Sequence, residues 1–501
     1  MHTRFCIAVF SATAGACIGE RGPFINRMAH SETSYLARAA RQPVRWQPWG
    51  RDAFALAAKL DRPVLLYIGS DSCRWCAETD RAIYTDPEIG ALINALFVPI
   101  RVDRDERPDV AQRYQTAVER MAGLRGWPLT VFLTADGAPF FGGTYFPADD
   151  PITGRGLKQL LPEVAKRYRE QRTFIMEQAA VVRHMVLTED SPSVLRPALV
   201  EQGIAAVARE LDEAVRNRAV AGSVTHAEAV SLLLTDTTLL ASARRALDLM
   251  LDTTAGTVGE DPPRLVRAGL ALSLAKAWTV TGEQRYREAG RVLVRALSAE
   301  PPPDGSVFAD QEAYVLEHVM VAAATIGEPT VESRARAGLD VLLQRTYARG
   351  WGVRHAAGAP AAGATTPQGL LQDQVQVASA CLVAHQLSNA PRYLEVALDL
   401  AAIVERSYAD PLGGYYDVAA ADPLPASQAA GDRTKHIFDD VLPGANAATA
   451  LVLAELAQVT GDPSYRRRAR ATLEAFAGSM DGTGLRAVTF LTAARQTLEK
   501  P

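Results

Sequence analysis

Long apolar runs, blocks of like charge and cysteines are all scarce in this chain. After the first twenty or so residues, no apolar stretch reaches the about 18 residues that a membrane-spanning helix needs, which excludes a polytopic membrane protein. The 53 basic side chains are nearly balanced by 57 acidic ones, so the chain lacks the broad basic surface typical of nucleic-acid binding. Its 501 residues, 48% of them hydrophobic, are typical of two or three globular domains.

Five cysteines are too few for a disulfide framework, so each needs its own explanation. Cys381 lies in the apolar run VQVASACLVA and is typical of a small buried hydrophobic residue. Cys73 and Cys76 form a local pair, which indicates redox reactivity, a metal site or a purely structural pair. A zinc site needs about four ligands, and the chain has no second Cys-x-x-Cys motif. We therefore predict no metal and no cofactor.

The first residues, MHTRFCIAVFSATAGACIG, have the layout of a secretory signal. Arg4 precedes a short apolar core, and small residues lead to Cys17. The closing Ala-Gly-Ala-Cys is similar to a bacterial lipobox, in which the cysteine is lipidated after cleavage. We predict a signal or lipoprotein segment over residues 1–22 of a bacterial protein that is exported, either periplasmic or anchored to the membrane by a lipid at Cys17. The alternative is an unprocessed tail on a cytoplasmic protein.

From residue 51 to about residue 141, the pattern alternates between helix and strand. The strand-like runs are PVLLYI, FVPIRV and PLTVFL, while RDAFALAAKL, residues 76–96 and residues 109–122 have helical periodicity. An Asp136-Gly137 turn before APFFGG predicts an antiparallel hairpin at the edge of the sheet. The pattern predicts an α/β domain over residues 23–150, which the dithiol and the family resemblance described below make thioredoxin-like.

Beyond residue 150 the strand signal disappears, and the rest of the chain has helical periodicity. A motif in which Gly or Asn ends one helix and a short turn starts the next recurs at 281–286, 388–393 and 460–465, with a weaker copy at 326–331. The copies begin 45, 62 and 72 residues apart, and this variation favours a ring of hairpins over a regular solenoid. We predict an all-α half, with a helical linker over residues 151–198 and an (α/α) toroid of up to six hairpins over residues 199–501.

Cys73-Arg74-Trp75-Cys76 follows the strand VLLYI and opens a helix, which is the context of a thioredoxin-like redox motif. Free N–H groups and the positive end of the helix dipole stabilise a thiolate there, and Arg74 adds a positive charge. Cys76, one turn further along the same face, can resolve a mixed disulfide formed by Cys73. We predict Cys73 and Cys76 as the catalytic pair, with Cys73 the more exposed and more acidic thiol, and Arg74 and Trp75 as partner-positioning residues.

Gly126-Trp127-Pro128 leads into the strand PLTVFL, and a proline that enters a strand in this way marks a special backbone position. In thioredoxin-like folds such a proline is cis and faces the dithiol. We predict a cis bond between Trp127 and Pro128 beside the cysteines, and both residues as positioning the partner chain. The alternative is a trans proline that starts an edge strand.

Four stretches of the first half carry a resemblance to a known family: NRMAHSETSYLARAARQPVRWQPWG, SDSCRWCAETD, FVPIRVDRDERPDV and GWPLTVFLTADGAPFFGGTYFP. They cover about residues 26–147 and resemble the thioredoxin-like domain of the spermatogenesis-associated thioredoxin-like proteins and their uncharacterised bacterial counterparts. The resemblance implies a thioredoxin fold followed by a helical toroid of the six-hairpin glycosidase kind. It puts Cys73, Trp75, Cys76 and Pro128 on the family's dithiol motif and its proline.

The chain departs from that family in two places. The family usually has Cys-His-Trp-Cys-His, where this chain has Arg74 and Ala77. Arginine does not titrate near neutrality, so a proton relay through those histidines is lost while thiolate stabilisation can remain. In the helical half, only LLQDQVQVASACL and DDVLPGANAATALVLAELAQVTGDPSYRRRA resemble family segments, so any chemistry of the family's toroid is in doubt.

The helical half also holds acidic residues that suit sugar chemistry, because toroids of hairpins often bind sugars and glycoside hydrolysis needs two carboxylates about 5 to 10 Å apart. The candidate acids and neighbouring aromatics are Asp310, Glu312, Asp373, Asp417, Asp439, Asp440, Trp351, Tyr415 and Tyr416. Acids at helix starts are commonly caps, and aromatics at hairpin ends are commonly core. The spacing selects no acid and base, so a non-catalytic binding role fits equally well.

Together these features predict a thiol-disulfide oxidoreductase that acts on a protein thiol or disulfide, with the toroid binding a partner or ligand. A carbohydrate-active or sugar-binding protein, with the sugar held in the toroid, is the first alternative. A non-catalytic interaction scaffold is the second. No nucleic-acid partner is expected.

Overall fold

The fold is described from a computed structural model of the chain. The described residues are 24–31, 33–153, 155–188, 191–219, 223–256, 263–300, 307–356, 369–419 and 430–499. The predicted export segment, with Cys17, lies outside these ranges. Among the helices that the structure describes, none is long and apolar enough to cross a membrane.

The first domain is built on a five-stranded sheet in the order β1-β3-β2-β4-β5. Its strands are β1 (Gln47–Pro48), β2 (Val64–Gly69), β3 (Val98–Asp103), β4 (Leu129–Leu133) and β5 (Pro139–Gly143). The first three strands are parallel, while β4 and β5 are antiparallel to their neighbours, which confirms the predicted hairpin at Asp136-Gly137. β2, β3 and β4 are buried on both faces, and this explains their uninterrupted apolar runs.

Five helices flank these strands: α1 (Ser34–Arg38), α2 (Arg51–Leu60), α3 (Arg74–Thr79), α4 (Pro87–Leu96) and α5 (Pro108–Ala122). The prediction of one helix over residues 76–96 is wrong. After α3 the chain makes a π-helical turn over Asp80–Tyr84, and α4 then starts anew. The break occurs because the Asp86 side chain caps α4 and Pro87 fits the first helical position.

The next two helices, α6 (Leu157–Glu170) and α7 (Arg172–Leu187), fold back onto the α/β domain. α6 packs on α4 and contributes Leu157 and Leu161 to the apolar core on one side of the sheet. α7 packs on α5 and β5 and contributes Val182 and Val186 to the core on the other side. The stretch between the two halves is therefore anchored on the α/β domain.

The remaining helices form a closed double ring. They are α8 (Pro197–Arg216), α9 (Val224–Leu233), α10 (Leu240–Gly256), α11 (Arg264–Thr281), α12 (Gln284–Ala299), α13 (Ala309–Ile326), α14 (Pro329–Thr346), α15 (Leu371–Ser388), α16 (Pro391–Ser407), α17 (Ala445–Thr460), α18 (Pro463–Glu474) and α19 (Val488–Leu498). The odd-numbered helices from α9 to α19 form the inner ring, in which each packs on the next and α19 returns to α9. In the described residues, α8 and α19 supply the sixth pair, so the predicted toroid of helical hairpins is confirmed.

Position in the ring explains the composition of each helix. Inner helices such as α15 and α17 are rich in alanine and buried on nearly every side, because they contact neighbours on both flanks and behind. Outer helices such as α12 and α16 are amphipathic and bury one face only. Two short strands, β6 (Tyr347–Ala348) and β7 (Gly352–Val353), form a hairpin after α14.

The recurring motif joins an inner helix to the outer helix that follows it. Gly282, Gly327, Asn389 and Gly461 end their helices with φ angles of 71°, 83°, 53° and 72°, respectively. These are the left-handed caps that the motif predicts, since glycine and asparagine adopt this conformation at low cost.

The two domains meet through α5. Gln112 Nε2 donates to Asp440 Oδ2 at 3.0 Å, and Arg113 Nη1 donates to the carbonyl oxygen of Ala430 at 2.9 Å. Asp440 lies shortly before the start of α17, so the α/β domain covers the end of the ring where inner helices begin.

Candidate functional site

The dithiol lies just after β2, where α3 begins. Cys73 and Cys76 are joined by a disulfide, with Cα atoms 5.2 Å apart. Cys73 is the N-cap of α3, and its Sγ accepts a hydrogen bond from the Cys76 backbone N–H at 3.1 Å. Cys73 is half-buried and Cys76 fully buried, while Arg74 and Trp75 between them are exposed. Cys73 is therefore the more accessible sulfur of the two, as predicted.

The peptide bond between Trp127 and Pro128 is cis, as predicted. Pro128 immediately precedes β4, whose first residue, Leu129, pairs with Ile68 of β2. Because β2 ends at Gly69 and leads into the dithiol loop, the proline and the cysteines lie at the same edge of the sheet. Pro128 is buried, and Trp127 is half-buried.

Arg104 connects the loops on both sides of the dithiol. Its Nη2 donates to Ser72 Oγ at 2.8 Å, next to Cys73, and its guanidinium carbon lies 5.5 Å from the centroid of the Trp127 ring. Its Nε donates to Asp105 Oδ1 at 3.0 Å. One side chain thus couples the dithiol loop to the loop that carries the cis proline.

A polar cluster is buried on the inner side of Cys76. Arg101 is 1% exposed and donates to both carboxylate oxygens of Asp80, at 2.7 and 2.6 Å. Its guanidinium faces the rings of Tyr35 and Tyr67 at 4.2 and 5.0 Å. Tyr67 Oη in turn donates to the carbonyl oxygen of Cys76 at 3.4 Å. Charged and phenolic groups, as well as apolar side chains, therefore surround the buried side of the disulfide.

Asp103 borders this cluster at the end of β3, where it pairs with Gly69 of β2. Burial raises the pKa of its carboxyl to about 7, and the neighbouring carboxylate of Asp105 adds to the shift. The backbone N–H of Asp105 donates to it at 3.0 Å. A buried carboxyl with a raised pKa thus lies beside the end of the strand that leads into the dithiol loop.

A cavity lies between the two domains. Polar residues from both sides line it: Arg104, Asp105 and Gln112 of the α/β domain, and Asp310, Asp417 and His436 of the toroid. Arg104 therefore contacts the dithiol loop with one part of its side chain and faces the cavity with another. Of the predicted acids, Asp310 and Asp417 reach this cavity.

His355, Asp310 and Asp373 form a buried cluster whose ligand-type atoms lie within 4.8 Å of one another, a geometry that metal ligands share. His355 Nδ1 lies 2.8 Å from Asp373 Oδ1, and Nε2 lies 2.8 Å from the carbonyl oxygen of Asp105. Asp373 Oδ2 accepts the backbone N–H of Leu370 at 2.7 Å. Hydrogen bonds within the protein thus occupy both nitrogens of the ring and both oxygens of Asp373.

The other predicted acids of the toroid are held by structural partners. Asp417 accepts hydrogen bonds from Thr434 and pairs with His436. Glu312 pairs with Arg264. Asp439 accepts hydrogen bonds at 2.8 Å from two backbone N–H groups, those of Gly444 just before α17 and of Thr489 in the first turn of α19.

The predicted aromatic residues of the toroid do not line the cavity. Trp351 is exposed on the β6–β7 hairpin. Tyr415 is buried and donates to Glu405 at 3.0 Å. Tyr416 lies under the guanidinium of Arg433, 4.0 Å from it. None of them faces the acids at the cavity, so stacking on a sugar there does not come from these rings.

Sequence reasoning missed the charged axis of the ring. One or two charged side chains from most inner helices face one another there: Glu228, Lys276, Glu317, His318, Glu455 and Arg495. His318 Nε2 lies 2.8 Å from Glu228 Oε1, and burial raises the pKa of Glu455 to about 8. The available signal was a single charge within an alanine-rich helix, as in LALSLAKAW and LVLAELAQV.

Fold and dithiol together define a thioredoxin-like domain attached to an (α/α) toroid. Residues 25–186 match the family model described as Thioredox_DsbH, "Protein of unknown function, DUF255", which confirms the family resemblance seen in the sequence. Human spermatogenesis-associated protein 20 is 37% identical over 169 residues, which are 34% of this chain and 22% of that protein. An uncharacterised protein of Caenorhabditis elegans is 34% identical over 164 residues, 33% of this chain and 22% of that protein. The chain thus matches about a fifth of the length of these relatives.

Solved structures are similar to this chain at low sequence identity. An unsaturated glucuronyl hydrolase specific for heparin is 14% identical, with a TM-score of 0.43 over 60% of this chain and 97% of that chain. A D-mannose isomerase is 12% identical, with a TM-score of 0.41 over 55% of this chain and 85% of that chain. The assignment of the toroid itself rests on the helix contacts described above.

Proposed function

We propose that the protein is a thiol-disulfide oxidoreductase in which Cys73 is the nucleophile and Cys76 the resolving thiol. The observation that carries the proposal is the N-cap position of Cys73, whose Sγ accepts the Cys76 backbone N–H at 3.1 Å. A donor at this distance stabilises a thiolate more than a thiol, because hydrogen bonds to charged acceptors are the stronger ones. The difference in exposure between the two cysteines supports the different roles proposed for them.

The reaction follows from that arrangement. The Cys73 thiolate attacks a partner disulfide, a bond forms between Cys73 and one partner sulfur, and the other partner sulfur leaves as a thiolate. The Cys76 thiolate then attacks Cys73 Sγ and releases the second partner sulfur, which closes the Cys73–Cys76 bond. Exposed Trp75 and half-buried Trp127 flank the point of attack, and we propose that they and Pro128 position the partner chain.

Trapping of mixed disulfides tests this assignment. In the Cys76→Ser variant the second step is blocked, so Cys73 should accumulate mixed disulfides with partners that carry a disulfide, detectable on non-reducing gels and by peptide mass spectrometry. Cys73→Ser should accumulate none. Cys381→Ser removes a buried thiol outside the dithiol and serves as the matched control. Trapping through Cys76, or none in either variant, would contradict the proposed roles.

A second candidate function is the binding of a polyhydroxylated ligand such as a sugar in the cavity between the domains. The carboxylate, amide and imidazole groups that line the cavity favour this role. Calorimetry with neutral oligosaccharides, on the wild type and on Gln112→Ala, tests this role. Binding that the variant weakens supports it, and no binding at millimolar sugar contradicts it.

We also propose an exported protein that works on protein thiols or disulfides outside the cytoplasm. The signal-like start, with its lipobox-like Cys17, supports this location. Mass spectrometry of the protein from its own cells tests it. An N-terminus at a lipidated Cys17 supports export, and an intact Met1-to-Cys17 peptide in the soluble fraction contradicts it.

A further inference from the structure

The hydroxyl of Tyr35 is a buried donor next to the dithiol. Tyr35 comes from α1, is 2% exposed and has its ring over the Arg101 guanidinium. Within the part of the chain that the structure describes, Tyr35 Oη has no acceptor for its own proton, although the Tyr67 hydroxyl lies within hydrogen-bonding reach of it. The neighbouring hydroxyl of Tyr67 donates to the Cys76 carbonyl oxygen. A buried hydroxyl without an acceptor costs free energy in the folded state, so its position needs an explanation.

Gly69 shows what that hydroxyl faces. A Cβ atom built on Gly69 would overlap Tyr35 Oη and would lie 3.1 Å from Cys76 Sγ. The phenol oxygen and the resolving sulfur therefore border the same small space above the end of β2. Any side chain at residue 69 would collide with Tyr35 Oη, so glycine lets the phenol oxygen approach the end of β2 beside Cys76 Sγ.

Thiol-disulfide exchange creates a negative charge on the sulfur that borders this space. When a partner thiolate attacks Cys73 Sγ, a bond forms between the partner and Cys73, and the Cys73–Cys76 bond breaks. The electron pair of that bond leaves on Cys76 Sγ, so one thiolate is consumed, one is formed and no proton moves. Cys76 is fully buried, and an unpaired thiolate there is strongly disfavoured without a donor.

We propose that Tyr35 is this donor: its hydroxyl hydrogen-bonds to the Cys76 thiolate that forms when the disulfide opens, and to the same thiolate when it attacks in the reverse step. The inference rests on the proposed exchange reaction. Burial raises the pKa of Tyr35 far above its ordinary value, although the Arg101 charge opposes the shift. The phenol therefore stays protonated, and able to donate, throughout the physiological range.

The test removes only the hydroxyl, with Tyr35→Phe, and measures the Cys76 thiol directly. In a Cys73→Ser background, the ¹³C shift of the Cys76 Cβ is followed across pH. Tyr35→Phe should raise the pKa of Cys76 by about one unit, which is about a tenfold change in the thiolate equilibrium. In the protein with both cysteines, opening of the disulfide by reduced glutathione should slow about tenfold.

Tyr84→Phe is the matched control, because Tyr84 is an equally buried phenol of the same aromatic cluster whose hydroxyl faces Thr130. It should leave the pKa of Cys76 and the glutathione rate within about twofold of their starting values. Thermal unfolding of all variants shows whether each one is folded. A Tyr35→Phe protein that is folded and has an unchanged pKa and rate overturns the role of Tyr35. A wild-type disulfide that glutathione cannot open overturns the proposed function instead.

Discussion

His355 Nε2 lies 2.8 Å from the carbonyl oxygen of Asp105, and this contact joins the toroid to the turn that follows β3. The other ring nitrogen lies 2.8 Å from Asp373 Oδ1. A carbonyl and a carboxylate oxygen can only accept, so both nitrogens donate and the ring is an imidazolium. The domain junction therefore contains a buried positive charge held by acids of the ring.

Replacement of this histidine by glutamine should lower the free energy of unfolding by about 2 kcal/mol at pH 6, because a charged donor is lost opposite buried acceptors. Burial disfavours the charge, but Asp373 and Asp310 raise the pKa of His355 to about 10. An unfolded histidine has a pKa of about 6.5. The contribution is thus complete below about pH 6.5 and is lost as pH rises through about 10. Urea denaturation from pH 6 to 10.5 should show the difference between wild type and His355→Gln shrinking, and a constant difference would contradict the charge.

Gly69→Ala should destabilise the protein by about 2 kcal/mol, since the added Cβ would overlap Tyr35 Oη and crowd Cys76 Sγ in a packed core. Ala77→Ser, at an exposed position of α3, is the control and should change stability by less than about 0.5 kcal/mol. Urea denaturation of the oxidised proteins measures both. Equal stability of Gly69→Ala and wild type would show that the space above Gly69 is larger than described.

Arg101→Met should lower the free energy of unfolding by about 3 kcal/mol, because it removes the cation that pairs with both oxygens of Asp80 in a buried site. The comparison is Arg81→Met, which breaks an exposed pair with Glu78 and should change stability by less than about 0.5 kcal/mol. Urea denaturation of the two variants measures how much stability each one loses. Similar losses for both would mean that burial adds nothing to the Arg101 pair.

Asn389 ends α15 with a φ angle of 53°, a conformation that most side chains disfavour. Asn389→Ala should therefore lower stability by about 1 kcal/mol, whereas Asn389→Gly should leave it nearly unchanged. Thermal melts of the two variants test the pair. If alanine were tolerated as well as glycine, the left-handed cap would not determine this turn.

Features that depend only on neighbouring residues could be predicted from the sequence. The Cys73 to Cys76 spacing after an apolar strand, the Trp127-Pro128 bond and the recurring caps are all local, so each could be predicted from a few letters. The break before α4 is local too, but Asp86-Pro87 was not recognised as a helix start inside an apolar pattern. The helical periodicity of residues 76–96 as a whole hides the two-residue signal, Asp86-Pro87, that starts a new helix inside it.

The environment of the dithiol could not be predicted because it is assembled from distant segments. Tyr35 and Arg101 are 66 positions apart, and His355 meets Asp105 across 250 residues. A charged residue in the middle of FVPIRV is a signal of a buried partner, but it does not identify the partner. The order of strands in the sheet and the closure of the ring determine these contacts, and no local sequence motif predicts either.

Because the ring is closed, we expect the helical half to unfold differently from an open array of hairpins. An open array of hairpins has two ends, and its outermost units can fray one at a time while the rest stays folded. Here α19 packs on α9 and α8, so every hairpin is interior and the loss of any one exposes two neighbours at once. The same contact brings the beginning and the end of the helical half side by side, so joining them and cutting the chain at another outer turn should give a circular permutant with the same architecture.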